Sequence, residues 1–493
     1  MHQTELFAAA SPESHGISSG DILRFIERVE SEGLNMHGFL LLRKGRILAE
    51  GYWAPYTRES MHRMYSVSKS FVALAVGLMI DEGKLKLNDR AADILTDLAP
   101  PDLHPYTAQT TIRDLLMMAT PHSSTSYTRH DRHFAATFFQ KEPSHPPGSV
   151  FSYDTSATVI LGTIVERISG VPFLEYMRAK VLDPIGFSKD AWCIKTPEGT
   201  SWGGSGVICT LRDMAKLAYV CLNDGRWGDQ QLISESYIRE AVSKQIDNSM
   251  TGNEGYGYQI WREEDNGFSF RGMGSQFAYC YPDQELLFAC IADTQIMGPV
   301  AAVLLKNAFK EEIFANMKDK PLPADAASEQ ALAQKIESLS IIPQQGNSTS
   351  TYAEKINGKW YRLYDNPMNI TRMRFMFNGD EGIWEYENAS GLHQLSFGIG
   401  KKKAGVFPEK HYFGEQIGTP KGEGYKCLVS GAWVEEHKLN LLVYITDDYL
   451  GTARMSFAFR DHEISVHMIK AAEWFLDEYA GFAGGVLAEQ QTC

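Results

Sequence analysis

The chain has 493 residues, 44% of them hydrophobic and 22% charged; this is ample material for a buried core and more length than one core normally takes, so two domains are expected. Lys and Arg total 47 against 61 Asp and Glu, and the resulting net charge of −14 argues against nucleic acid or an anionic membrane surface as the main partner. No run of residues approaches the length and apolarity of a membrane span.

The first ten residues lack the basic region and apolar stretch of a secretory leader. Seven cysteines, Cys193, Cys209, Cys221, Cys280, Cys290, Cys427 and Cys493, form an odd, scattered set with no Cys-x-x-Cys pair, which argues against a disulfide framework or a zinc site. A cytoplasmic location is expected. Lys401-Lys402-Lys403 reads as a solvated turn.

In chain order, the periodicity predicts an amphipathic helix from Ser18 to Leu34 with Ile22, Phe25, Ile26 and Val29 on one side. Residues 38–43 and 46–53 read as strands around the tight turn Lys44-Gly45. Met64-Tyr65-Ser66-Val67-Ser68-Lys69-Ser70 then opens an apolar helix that ends near Gly83. Short helices are expected over 89–98 and 111–118, followed by a polar loop from Thr120 to Pro147. His130 and His133 in that loop have no evident third ligand and read as surface or rim residues. Helices follow over 158–170, 173–181 and 211–222. Residues 255–261, 269–281 and 286–292 read as three strands, with a long helix after Pro299. This is an α+β layout, an antiparallel sheet with helices beside it. Composition shifts near Lys318. Residues 318–351 read as a linker containing a helix, and 352–493 as an all-β sandwich or small barrel, lipocalin-like only in its alternation. The expected domains are thus 1–317 and 352–493.

Ser66 and Lys69 are one helical turn apart and share a face, which brings the amine to the hydroxyl. A serine hydroxyl becomes a nucleophile only when a neighbouring base takes its proton, and a helix N-terminus favours developing negative charge. The pattern alone recurs by chance in chains of this length, so other motifs must support it.

Three ordered motifs do so: Ser66-x-x-Lys69, the Pro147-Gly148 to Phe151-Ser152-Tyr153 segment that opens an apolar helix, and Gly272-Met273-Gly274 on a strand. Together they resemble the serine β-lactamase and penicillin-binding-protein superfamily, above all class C β-lactamases and related esterases and D-amino-acid peptidases. The resemblance covers about residues 10–310 and extends to Ser11-Pro12-Glu13, the segment 83–89, Thr111 to Leu116 and Gly204-Ser205-Gly206-Val207. It implies a β-lactamase-like fold with Ser66 as acylated nucleophile, Lys69 as its proton partner and Tyr153 as general base or proton relay. For a phenol, that role requires nearby cations, Lys69 among them. It also implies an oxyanion hole made by the backbone N–H groups of Ser66 and Met273, with no metal or organic cofactor.

Two departures bear on substrate. Thr155 stands where the family usually has an asparagine, and Phe270-Arg271-Gly272 stands where it has Lys-Thr-Gly or His-x-Gly, so the first cation is missing. Arg271 is a doubtful replacement, because adjacent strand residues point to opposite faces. A β-lactam or stem peptide presents a carboxylate for that cation, so an uncharged small ester or short amide is the expected substrate, with a carboxylesterase-type activity. Thr155, Arg271, Gly272, Tyr127 and Trp202 are the candidate substrate-binding residues. Phe134 and Tyr258 join Tyr127 and Trp202 as aromatic candidates for an acyl pocket, each equally able to serve as core packing. The alternatives are a D-aminopeptidase or β-lactamase activity, and a non-catalytic binding or scaffold protein of the same fold.

Overall fold

In the computed structural model, residues 6–248, 254–408 and 424–488 are described; residues 1–5 of the N-terminal segment and Cys493 lie outside them. The chain divides into two compact units, Met1–Thr294 with Pro299–Ile341, and Gln295–Gly298 with Ile342–Cys493.

The first unit is built on a six-stranded antiparallel sheet. Its strands are β1 (Met36–Arg43), β2 (Arg46–Tyr52), β3 (Trp261–Arg262), β4 (Phe268–Gly272), β5 (Gln276–Tyr281) and β6 (Leu286–Ala292), in the order β2-β1-β6-β5-β4-β3. The β1–β2 turn falls as the sequence indicates: Lys44 and Gly45 both take positive φ, 50° and 75°, which matches the twist of the two strands. β1 and β6 are buried along their whole length because helices cover both sheet faces. On one face lies α1 (Ser19–Ser31), whose Phe25 meets Phe39 and Phe288 edge-on. On the same face Phe309, just after Val300–Ala308, stacks on Phe288 with centroids 4.7 Å apart. Helix Leu211–Leu222 covers the other face.

Beside the sheet lies a helical layer centred on α2 (Ser68–Asp81), buried from Ser68 to Met79 and apolar all round, as a helix enclosed by others must be. α3 (Thr155–Ser169) packs against it. Gln259, buried and at φ 57°, binds this layer together. Its carbonyl accepts from Ser70 of α2 at 2.8 Å, its side-chain oxygen from Thr158 of α3 at 2.6 Å, and its amide donates to the Leu115 carbonyl at 2.7 Å.

Several expectations need correction. Residues 269–281 are not one strand but the hairpin β4–β5: Gly274 and Ser275 take φ 74° and 70°, which turns the chain. Of 255–261 only Trp261 enters a strand. The loop from Thr120 to Pro147 holds a helix, Phe134–Gln140, started by the His133 ring accepting from the Ala136 N–H. The supposed linker is also divided: to Ile341 it belongs to the first unit. There helix Ala326–Glu337 is tied down by Lys335 to Glu30 and Ser11 to Glu329, so its polarity reflects ion pairs rather than freedom.

The second unit is a closed nine-stranded barrel. Its strands are β7 (Tyr361–Leu363), β8 (Arg372–Asn378), β9 (Glu381–Asn388), β10 (Gly391–Ile399), β12 (Tyr425–Glu435), β13 (Lys438–Thr446), β14 (Leu450–Arg460), β15 (Glu463–Ala472) and β16 (Gly481–Leu487). A tenth, β11 (Lys403–Phe407), pairs along β12. Neighbours pair antiparallel except at the closing seam, where β10 meets β12 in parallel through Gly398↔Ser430 and Ile399↔Gly431. Alternate residues fill the interior: Phe375 faces Trp384, and Trp384 faces Leu395 across the ladder. The last strand, β16, pairs with both β7 and β15; its glycine-rich sequence hides it from strand propensity.

Candidate active site

Ser66 lies in a single 3₁₀ turn, Tyr65–Val67, that runs straight into α2, so Ser66 and Lys69 stand one above the other. The Lys69 amine, buried, donates to Ser66 Oγ at 3.0 Å and to the Gly204 carbonyl at 2.6 Å. Tyr65, immediately before Ser66, takes φ 46°, uncommon for any residue with a side chain and more so for a bulky one. Two bonds dock this segment on strand Val207–Cys209: Met64 N–H to the Val207 carbonyl at 2.8 Å, and Val207 N–H to Ser68 Oγ at 2.9 Å. Gly204 carries no side chain because a Cβ there would overlap the Thr155 methyl; its carbonyl can therefore come close to the lysine.

Tyr153 immediately precedes α3, whose N-cap Asp154 accepts from the Ser156 N–H at 2.8 Å and from Thr120 Oγ1 at 2.9 Å. The Tyr153 phenol is hydrogen-bonded to Ser66, and burial pushes it up to about 12, opposed by that bond and by the Arg271 guanidinium. Arg271 is thus one cation that holds the phenol down, and the Lys69 amine lies 5.1 Å from the ring centroid. Around neutral pH Tyr153 is a phenol.

Thr155 donates its N–H to Thr125 Oγ1 at 2.9 Å and rests its methyl on Gly204. Gly272 ends β4 with its backbone against the Met64 carbonyl oxygen, where a Cβ would overlap. Met273 follows in the exposed hairpin turn, 41% accessible, and so outside the strand expected for it. Arg271 shares its sheet face with Ser269 and Trp261 and is held by Glu263: Nε donates to Glu263 Oε1 at 3.0 Å and to Ser269 Oγ at 2.9 Å, and Nη2 also reaches Glu263. Lys306 lies 3.1 Å from the same buried carboxylate. Arg271 is therefore part of an ion cluster with Glu263 and Lys306.

Tyr127 stacks on Phe134 with centroids 4.0 Å apart and accepts from Trp202 Nε1 at 2.8 Å, and all three are buried. Tyr258 is buried between Arg113 and Glu240, to both of which its hydroxyl bonds. All four are buried within these contacts. The aromatic that meets the site is Trp261, stacked on Tyr153 at 5.4 Å with Arg271 5.3 Å above its ring. Nothing in the sequence singles out Trp261 or Glu263 as site residues: Trp261 is the last residue of the segment expected as a strand, and Glu263 lies just beyond it. Among the described residues no group of three or more His, Cys, Asp or Glu side chains converges as metal ligands would.

Residues 26–320 match the beta-lactamase family, more than half of the chain, and the chain belongs to that family, a group of hydrolases. It is similar to the 6-aminohexanoate-dimer hydrolase of Paenarthrobacter ureafaciens, 27% identical over 44% of this chain and 59% of that protein, so it spans well under two thirds of that relative's length. It is also similar to penicillin-binding protein 4 of Amycolatopsis lactamdurans, 23% identical over 57% of this chain and 86% of that one. Among solved structures, a penicillin-binding protein homolog from Caulobacter crescentus superposes with a TM-score of 0.51 at 15% identity, over 63% of this chain and all of that one.

Proposed function

We propose that this chain is a serine hydrolase that works through an acyl-enzyme on a small uncharged ester or amide, with carboxylesterase-type activity as the leading form. The observation that carries the reading is the hydrogen-bonded line from Lys69 through Ser66 to Tyr153. Lys69 spends its N–H groups on Ser66 Oγ and the Gly204 carbonyl, which leaves the serine's own proton aimed at the Tyr153 oxygen. As Ser66 attacks a carbonyl carbon, that proton passes into the Lys69/Tyr153 pair, onto Tyr153 in its phenolate form, and the resulting phenol returns it to the leaving alcohol or amine. The N–H groups of Ser66 and Met273, the first in the opening turn of a helix and the second in a hairpin turn, hold the oxyanion; water then repeats the attack on the acyl-serine. No step calls for a cofactor. The six cysteines among the described residues are free and buried, which fits the cytoplasmic setting included in the proposal.

Preference for an uncharged substrate rests on Arg271, committed to Glu263, and on Phe270 at the usual cation position. An amide rather than an ester substrate is the second reading, favoured by similarity to a relative named for hydrolysis of the 6-aminohexanoate dimer. The test is intact-protein mass after exposure to a fluorophosphonate, together with turnover of a p-nitrophenyl short-chain ester and of the 6-aminohexanoate dimer, for wild type and Ser66→Ala. A wild-type-only adduct with turnover supports the reading. No adduct and no turnover in either protein would make it a binding protein of this fold.

A further inference from the structure

Arg63 has no part in the chemistry described so far, yet it is fully buried. A guanidinium in the interior costs stability unless its donors and its charge are met, so its presence there calls for a reason. Its environment supplies one. The guanidinium carbon lies 4.4 Å from the Tyr65 ring centroid and 5.0 Å from that of Trp202; Nε donates to the Ser205 carbonyl at 3.1 Å, and Nη2 to Ser205 Oγ at 3.2 Å.

Two of these partners, Tyr65 and Ser205, sit one residue from a group of the Ser66–Lys69 pair or its hydrogen bonds. Tyr65 precedes Ser66 and holds the positive φ that aims the nucleophile turn. Such a conformation is costly and persists only where its surroundings fix it; a desolvated cation over the ring supplies an attraction there. Ser205 follows Gly204, whose carbonyl takes the Lys69 amine. Without Arg63, the glycine-rich segment Gly203–Gly206 keeps its strand pairing at Val207 and the Ser205 N–H bond to the Trp202 carbonyl, but loses the two bonds that Arg63 makes to Ser205. Arg63 itself is anchored, since strand His62–Arg63 pairs with Val207–Cys209.

We propose that Arg63 is a positioning residue for the Ser66–Lys69 pair, its planar fork holding the Tyr65 ring on one side and the Gly204–Ser205 backbone on the other. Lysine cannot replace it, because an ammonium offers neither the flat face nor the paired donors. This inference rests on the reading of Ser66 as nucleophile.

The experiment follows the second-order rate of Ser66 labelling by a fluorophosphonate, which reports activation of the serine without requiring the natural substrate. Wild type, Arg63→Lys, Arg63→Gly and Ser205→Ala are compared, with melting temperatures measured on the same samples. Arg63→Lys is expected to label at least tenfold more slowly while still folded at the assay temperature, and Ser205→Ala several-fold more slowly. Arg63→Gly is expected to recover part of its rate in millimolar guanidinium but not in equimolar ammonium. For any ester turned over, the loss falls on kcat, with KM little changed. If Arg63→Lys fails to fold, Ser205→Ala decides. Wild-type labelling with undiminished rates in the folded variants overturns the positioning role and leaves the serine hydrolase standing. Absence of labelling in wild type overturns both.

Discussion

Raising the pH is expected to speed acylation by about tenfold per unit from pH 7 to 10, with no plateau in that range. The receiving oxygen is that of Tyr153, whose phenol burial pushes up to about 12. At pH 8 roughly one molecule in ten thousand then carries the phenolate, which corresponds to about 5 kcal/mol of the barrier. The sign follows from the reacting form being the deprotonated one: a raised value starves the base at neutral pH and leaves the rate climbing through the alkaline range. Arg271 is one cation that lowers this cost, so Arg271→Gln should push the phenol higher still, reducing kcat/KM at every pH while preserving the slope. The assay is kcat/KM by pH-stat with an aliphatic ester, which avoids a phenol leaving group, with circular dichroism at each pH to verify the fold. A plateau below pH 8 in wild type would refute the reasoning and move the base to a group with a lower pKa.

Other outcomes can be checked on the same protein. Lys69→Met removes the donor at 3.0 Å from Ser66 and is expected to lower kcat by about 10²–10⁴-fold in ester turnover, with the fold intact by calorimetry. Gly272→Ala sets a methyl against the Met64 carbonyl oxygen, forcing β4 away from the nucleophile turn; a loss of about 10²-fold in kcat/KM is expected, larger than for Met273→Ala, whose side chain is exposed. His62, buried, accepts from or donates to His37 at 2.9 Å and donates to the Arg63 carbonyl at 3.1 Å; burial lowers its pKa from 6.5 to about 4. The folded state thus binds fewer protons than the unfolded chain between those values, so stability is full above about pH 6.5 and falls as the pH drops towards 4, by about 3 kcal/mol for this group. Urea titrations at pH 7 and 4.5 should show a smaller acid loss in His62→Gln than in wild type.

Much of this molecule is legible in the sequence where a local rule and the tertiary environment agree. The Lys44-Gly45 turn, the apolar α2 and the Ser66-x-x-Lys69 spacing each follow from backbone geometry that neighbours only reinforce. The hairpin at 273–275 escaped because Gly-Met-Gly-Ser sits between two runs that alternate alike, so the break in direction leaves no mark on the pattern. Helix Ala326–Glu337 looked like linker because it is held by ion pairs, and a partner near Glu30 is invisible 305 residues away along the chain. Trp261 and Glu263 belong to the site for a similar reason: their meaning comes from what stacks on them, Tyr153 and Arg271, and not from their spacing. Tyr127 and Trp202 were candidates because aromatics near a loop suit a pocket equally well as a core, and only burial separates the two.

The seam that closes the barrel joins β10 and β12 by two residue pairs, whereas its other joints are mostly longer antiparallel ladders. The joint of β7 and β8 is as short but antiparallel, and a parallel pairing is the weaker per residue, so the hoop parts at the seam. Local opening of this unit should begin at Gly398–Ile399 and Ser430–Gly431, and amide exchange should be fastest there among its paired strands. A parted seam frees the backbone donors and acceptors of both strands there. Keeping that weld shut is therefore a matter of solubility as much as of fold, and Gly431, where a Cβ would press into Phe397 and Leu441, is a position where one added methyl tests it.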